Sequence, residues 1–397
     1  MSNQHDAYDV VIVGGALMGS SIAYFLSENP DFDGSVLVVE PDSTYANAQS
    51  TRSGNSFREQ FSNPLNIKIS QFGLEFLADF HDRVIVEGDV PALNFRGTGY
   101  LFLATSRAAL EVLDAEHQIQ LANGADVRML NPTEVQTRFP YMNTDRLVGA
   151  RFGSEREGSI DGWALLLGFR RRARHNGVTY VSDRVVDLVQ EDGRITGVQL
   201  ESGGTVACGH VVNAAGVRAK LIAAMAGLEL PVEPRSRTTF VFDCRAPIEQ
   251  NVPLTVTPEG VHFRRERQHY VTGGVPVDDR AVDYDDLDTR HGEFEELIWP
   301  VLASYVPQFE RIAVVASWGG QYAFNVLDHN MIIGPGDGLP NFVFANGFSG
   351  HGLQQSPAVG RGVSELIVYG AYRTLDLTPL GYDRVTRNKP FHESAII

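Results

Sequence analysis

The sequence predicts an α/β fold in which a parallel-sheet domain of the dinucleotide-binding kind is interleaved with a second, strand-rich domain. Two observations carry this. The chain opens with a β-α-β pattern: the β-branched run "YDVVIV" (8–13), then glycines, a helical stretch to about Glu28 and a second apolar run, "SVLVVE" (35–40). Apolar strands ending in small residues then return in the middle, at "VVNAAG", and near the end, at "FVFANGFSGHG", with unlike material between.

The remaining elements follow in order. After a polar loop, "NPLNIKISQFGLEFLADFHD" reads as a helix started by Asn63-Pro64, because asparagine accepts from free helix-start N–H groups and proline needs no partner at the first helical position. From about Asn94 strands such as "GTGYLFLA" take over, followed by a helix at about 107–123 and an irregular stretch to about Ala150. "EGSIDGWALLLGFRRRARHNGVTYV" reads as helix then strand, and "GGTVACGHVVNAAG" as a strand. The region from about Pro231 to Ser317 is strand-rich again, and the end gives strand, glycine-rich turn and a helix whose cap and first position are expected at Ser356-Pro357. The boundaries expected are 1–90, 151–228 and 322–397 for the nucleotide domain, and 91–150 and 229–321 for the other.

Charge narrows the partners. With 33 basic against 49 acidic side chains the formal charge is −16, which repels nucleic acid and anionic membranes and leaves a small molecule as the expected partner. The basic run "FRRRARHNG" at 169–177 ends an apolar helical stretch and reads as its solvated face. Cys208 and Cys244 form no C-x-x-C pattern, and His262 and His269 have no suitably spaced third ligand, so no metal site is expected. The first eight residues are polar and no apolar run approaches the roughly 18 residues of a membrane span, so the expectation is a soluble, cytoplasmic protein.

Gly14, Gly15 and Gly19 fit a loop whose backbone amides, backed by a helix start, cradle a pyrophosphate. Ala16 stands where this fingerprint has its second glycine. Glu40, at the tip of the second strand, is where an acid binds ribose hydroxyls and disfavours a 2′-phosphate. NAD and FAD share this motif. Here the chain leaves the sheet after its second strand and returns much later, which favours FAD.

The glycine loop, "STRSGNSFREQFSNPLNI", "VVNAAGVRA", "PVEPRSR" and "GFSGHGLQQSPAVG", in this order, resemble the D-amino-acid oxidase and sarcosine oxidase family of FAD-dependent amine oxidoreductases over nearly the whole chain. The branch it resembles includes a flavoprotein of respiratory complex I assembly. The resemblance implies a Rossmann-type FAD-binding domain interleaved with an α+β substrate domain built on a large mixed sheet. It also implies oxidation of a secondary amine or amino acid by hydride transfer to flavin N5, giving an imine that hydrolyses, with oxygen or an electron carrier as acceptor. A flavin-binding assembly or scaffold protein is the alternative.

By the same resemblance, Gly14, Gly15, Ala16 and Gly19 hold the pyrophosphate and Glu40 the ribose. Ser50, Thr51 and Ser53 either donate to the cofactor or form turns. Ala214, Ala215 and Gly216 form the small-residue turn beside it, and Gly347, Phe348, Ser349, Gly350, His351, Gly352, Leu353 and Gln354 form the loop over the flavin ring. His351 either stabilises the reduced ring or packs. Arg58 matches the arginine that binds the substrate carboxylate, its alternative being a surface arginine paired with Glu59 or another acid. Arg237 and Arg264 are weaker candidates, and Tyr322 matches a tyrosine lining the substrate cavity. Sarcosine oxidase has a carboxylate-holding lysine where this chain has Gln354, and a flavin-linking cysteine near the place of Gly320. Without that cysteine, or a histidine in 41–61, FAD is expected to be non-covalent.

Overall fold

The computed structural model describes residues 7–395. Strand Ala7–Val13 lies between Val36–Val39 and Thr205–Asn213 and runs parallel to both. Thr179–Val181 extends the sheet beyond Val36–Val39, and Leu339–Asn346 continues it in parallel beyond Thr205–Asn213, with Ile332–Gly336 antiparallel at that edge. A hairpin, Val185–Glu191 and Arg194–Leu200, pairs with only the first part of Thr205–Asn213 (Gly197 opposite Ala207). The last part of that strand is therefore free to pair with Leu339–Asn346, Val211 opposite Phe342.

Both faces of this sheet are covered, which explains why Val10 to Val13 are apolar without alternation. Helices Leu17–Ser27, Pro64–Ala78, Gly162–His175 and Gly352–Tyr369 pack their apolar stripes on one face, around Ile22, Phe76, Leu165 and Val359. The hairpin and helix Ala219–Met225 cover the other.

The second sheet has eight strands in the order Ile312–Asn325, Val232–Cys244, His269–Gly274, Val261–Glu266, Leu254–Val256, Tyr100–Ala104, Gly149–Gly153 and Val127–Leu130. It is mixed: Leu254–Val256 and Tyr100–Ala104 are parallel, their neighbours antiparallel. Val232–Cys244 alternates buried and half-buried residues along its whole length, the period-two signature of a sheet with one covered face. It pairs with Ile312–Asn325 from Val232 opposite Asn325 to Cys244 opposite Ile312. Val232 and Ala323 join the apolar core of the first sheet, so this long ribbon ties the two sheets together.

Asn63 caps its helix as expected, its side chain accepting from the Asn66 N–H at 2.9 Å. Asp79 ends that helix, so "FHD" belongs to a separate short helix, Phe80–Val84. One helix start needs correction. The last long helix begins at Gly352, and Pro357 lies inside it. The carbonyl a proline leaves without a partner is that of Leu353, four residues earlier. The Ser356 hydroxyl donates to it at 2.9 Å, which lets the helix run through the proline. Among the described residues no helix is long and apolar enough to cross a membrane, and no cluster of three or more His, Cys, Asp or Glu side chains is arranged to hold a metal.

Candidate functional site

Parallel strands deliver their ends to one edge. Ala7–Val13, Val36–Val39, Thr205–Asn213 and Leu339–Asn346 finish there, presenting Gly14, Glu40, Ala214 and, just past the last strand, Phe348 to a cleft of about 560 Å³ closed on its far side by the second sheet. Gly14 adopts φ +99°, and a Cβ on it would lie 2.5 Å from the Ala214 carbonyl oxygen. A Cβ on Gly19 would run into the Gly14 carbonyl. Glycine at these two positions therefore sets the close approach of strand, turn and helix. Ala16 sits at φ −67°, ordinary for alanine, so its methyl group brings no backbone strain. Helix Leu17–Ser27 has no side-chain cap at Ala16, which leaves its first N–H groups directed at the cleft.

Glu40 ties this loop together. Its carboxylate accepts from the Gly15 N–H at 2.8 Å and the Asp42 N–H at 2.9 Å, and burial raises its pKa. Gly15 does not itself line the cleft; it packs against Glu40 and Val38. The Ser50 hydroxyl is buried without a protein partner and lines the cleft, as a donor awaiting a ligand would. Thr51 makes a turn instead, donating to the carbonyls of Tyr45 (2.7 Å) and Ala48 (2.8 Å). Ser53 lines the cleft and donates to the Asn55 side chain at 2.9 Å. Ala215 and Gly216 line it too, with Gly216 at φ +56°.

The glycine-rich loop closes the site from above. Gly347 (φ +70°), Ser349 (+48°) and Gly350 (+97°) wind it tightly, and a Cβ on Gly350 would lie 2.6 Å from the Tyr322 ring. Phe348 to Gln354 all line the cleft; Gly347 and Gly19 lie behind it. Helix Gly352–Tyr369 starts at His351 with no side-chain cap, so a second helix start faces the same space.

Arg58 follows the short strand Ser56–Phe57 and is 2% exposed. It is neither a surface arginine nor paired with Glu59. Among the described residues no carboxylate lies within ion-pair distance of its guanidinium. Nη1 donates to the Gln60 carbonyl at 2.5 Å, while Nη2 donates to the Ala395 carbonyl and to His351 Nε2 at 2.9 Å. A guanidinium can only donate, so His351 Nε2 is the unprotonated nitrogen and the ring carries its proton on Nδ1. Burial and then the Arg58 charge hold the His351 pKa well below its ordinary value, which keeps the ring neutral. Gln354, standing where the resemblance has a lysine, accepts the Arg58 backbone N–H at 2.8 Å and so positions the arginine.

The other arginines differ. Arg237 lies 4.8 Å from the Tyr322 ring centroid and makes a bidentate pair with Asp279 at 2.7 and 3.1 Å. Arg264 binds Glu266 and the Gly54 carbonyl. Tyr322 lines the cleft, its phenol kept protonated by burial. Among the cleft residues the sequence did not mark as part of this site are Tyr100 and His262, the latter weighed there only as a metal ligand. Tyr100, whose hydroxyl burial pushes up to about 12, lies 5.6 Å from the Arg58 guanidinium, on a strand whose burial shows no alternation. His262 faces the cleft with its Nδ1 unpartnered, held neutral by burial at about 4.

A sheet with two uncapped helix starts, an orphan hydroxyl and tight glycines at the carboxyl edge of its parallel strands, facing a chamber walled by the second sheet and lined by the buried Arg58 guanidinium, defines a dinucleotide-binding oxidoreductase with an anion-seeking chamber. The family described as FAD dependent oxidoreductase matches residues 9–366. The chain belongs to that family, and its cofactor is FAD. FAD-dependent oxidoreductase domain-containing protein 1 of Xenopus laevis is 37% identical over 423 residues, covering 98% of this chain and 85% of the relative. Sarcosine oxidase subunit beta of Rhizobium meliloti (strain 1021) is 25% identical, over 92% of this chain and 85% of its own. Among solved structures, L-proline dehydrogenase from P. horikoshii superimposes with a TM-score of 0.86 at 25% identity, covering 97% of this chain and 99% of that one.

Proposed function

We propose that this FAD-dependent oxidoreductase oxidises a secondary amine or amino acid bearing a carboxylate, giving an imine that hydrolyses. The observation that carries the reading is Arg58: a cleft-lining guanidinium, 2% exposed, with no carboxylate partner among the described residues. A buried cation without a counterion is costly unless a ligand supplies the charge. A protein that merely carried a flavin would have no use for it.

Gly14, Ala16 and the helix start at Leu17 would hold the FAD pyrophosphate, Gly15 serving instead to anchor Glu40, which would hold the ribose, and Ser50 would meet a neighbouring acceptor. The amides of Gly350 and Gly352, at the uncapped start of the last long helix, would face the flavin's N1–C2=O edge, those of Ser349 and His351 being already donated to the Ala323 and Phe348 carbonyls. FAD, when bound, supplies a hydride acceptor at flavin N5. Arg58 binds the substrate carboxylate, its own direction fixed by His351, the Gln60 carbonyl and the Gln354 side chain. The phenols of Tyr100 and Tyr322 stay protonated and offer donors on the chamber wall. The Arg58 charge also disfavours an ammonium group beside it, so the amine loses its proton before oxidation. His351 Nε2 is taken by Arg58 and does not serve as base.

The test is anaerobic mixing of FAD-loaded protein with a panel of primary and secondary amino acids. Bleaching of the flavin by carboxylate-bearing amines supports the reading. Colour that no amine bleaches would overturn it and leave a flavin carrier.

A further inference from the structure

We propose that Asp279 determines specificity: by neutralising Arg237 it restricts the chamber to substrates with one carboxylate and an uncharged remainder. This rests on the reading of Arg58 given above. Arg58 and Arg237 line the same cleft, and both act electrostatically on the Tyr322 hydroxyl, which places both charges about one chamber. Only Arg237 brings its own anion. Both of its terminal nitrogens are taken by the two Asp279 oxygens, Nη1 also donates to the Ser236 carbonyl at 2.8 Å, and Nε is buried without a partner.

Asp279 reaches Arg237 from the far side. It lines a separate cavity of about 820 Å³ together with Ser236 and Arg290, whereas Arg237 lines the cleft, so the ion pair forms the partition between the two spaces. The Asp279 backbone is anchored to the same strand, its carbonyl accepting from Arg235. On this wall Arg58 is therefore the arginine that demands an anion, while Arg237 and Arg264 are each satisfied by a carboxylate of the chain. The remaining wall near Tyr322 carries the neutral Tyr100, Leu254, Val271 and His262, together with Arg264, which like Arg237 has its own carboxylate partner, Glu266. A second ligand carboxylate would meet Asp279 as a like charge, and would have to displace a preorganised bidentate partner to reach Arg237.

The experiment is calorimetric titration of FAD-loaded protein with two non-reactive probes, propionate and succinate. The wild type is expected to bind propionate more tightly than succinate; equal or tighter succinate binding would overturn the proposal without any variant. In Asp279→Asn, succinate is expected to tighten by roughly tenfold while propionate shifts by less than about threefold, the scale of one charge-assisted contact. In the double variant Arg237→Gln/Asp279→Asn the gain is expected to vanish. A succinate-to-propionate ratio unchanged in Asp279→Asn, or a gain that survives the double variant, would overturn the proposal. Arg58→Gln is expected to lose propionate; if it keeps propionate while Asp279→Asn still gains succinate, the carboxylate reading of Arg58 falls and the role of Asp279 stands.

Discussion

Glu157 forms part of the buried network behind the chamber, 1% exposed, accepting from the Glu59 N–H at 2.6 Å and the Gln60 side-chain amide at 2.7 Å. Burial pushes its carboxyl up from 4.5 to about 8, against the smaller opposing pull of those two donors. The folded protein therefore keeps a proton on Glu157, between pH 4.5 and about 8, that the unfolded chain has released. The stability contributed by that proton is complete below about pH 4.5 and falls as pH rises, by about 1.4 kcal/mol per unit, until it is lost above about 8. Glu157→Gln keeps the shape and has nothing to titrate. Denaturant unfolding of FAD-loaded wild type and variant, from pH 5 to 8.5, isolates this residue, because every other titrating group is common to both. Between pH 5 and 8 the wild type should lose about 4 kcal/mol relative to the variant. Parallel profiles would refute the reasoning, as would a wild type that gains on the variant as pH rises.

Other predictions concern the cofactor loop and the last helix. Gly14→Ala forces a Cβ against the Ala214 carbonyl at φ +99°, a strain on the order of 1–3 kcal/mol, so FAD affinity in a titration of apoprotein should fall by roughly tenfold or more. An affinity within about threefold of wild type would show that the loop is looser than described. Ser356→Ala removes the hydroxyl that satisfies the Leu353 carbonyl above Pro357, and should lower unfolding free energy by about 1 kcal/mol, whereas Ser356→Thr should recover most of it. Equal stability of the alanine and threonine variants would contradict that account.

Local chemistry made much of the cofactor edge legible in the sequence. The β-branched run before Gly14, the capping Asn63-Pro64 and the small residues at 214–216 each announce a conformation through their own backbone preferences. Ser356-Pro357 was misleading for a physical reason: serine and proline together resemble a helix start, but inside a helix the same hydroxyl can repair the bond that proline breaks. The chamber was less readable. Arg58 was visible through its resemblance, yet nothing local said that it would be buried without an acid while Arg237 would acquire Asp279, 42 positions away. Tyr100 sits on a strand buried at every position, so no alternation marks which residues face the cleft. Thr51 and Ser50 are adjacent hydroxyls in one polar loop. Only the fold sends one to the Tyr45 carbonyl and leaves the other open to the cleft.

The central claim is that Arg58 receives a substrate carboxylate beside the flavin. The most direct measurement compares anaerobic flavin reduction by a secondary amino acid that bleaches the protein with reduction by the same amine lacking its carboxylate, in wild type and Arg58→Gln. Loss of one charge-assisted buried contact corresponds to about 3 kcal/mol, so the wild type should prefer the amino acid by roughly a hundredfold and the variant should show little preference. Equal rates for the two amines in the wild type, or a preference that survives in Arg58→Gln, would contradict the account.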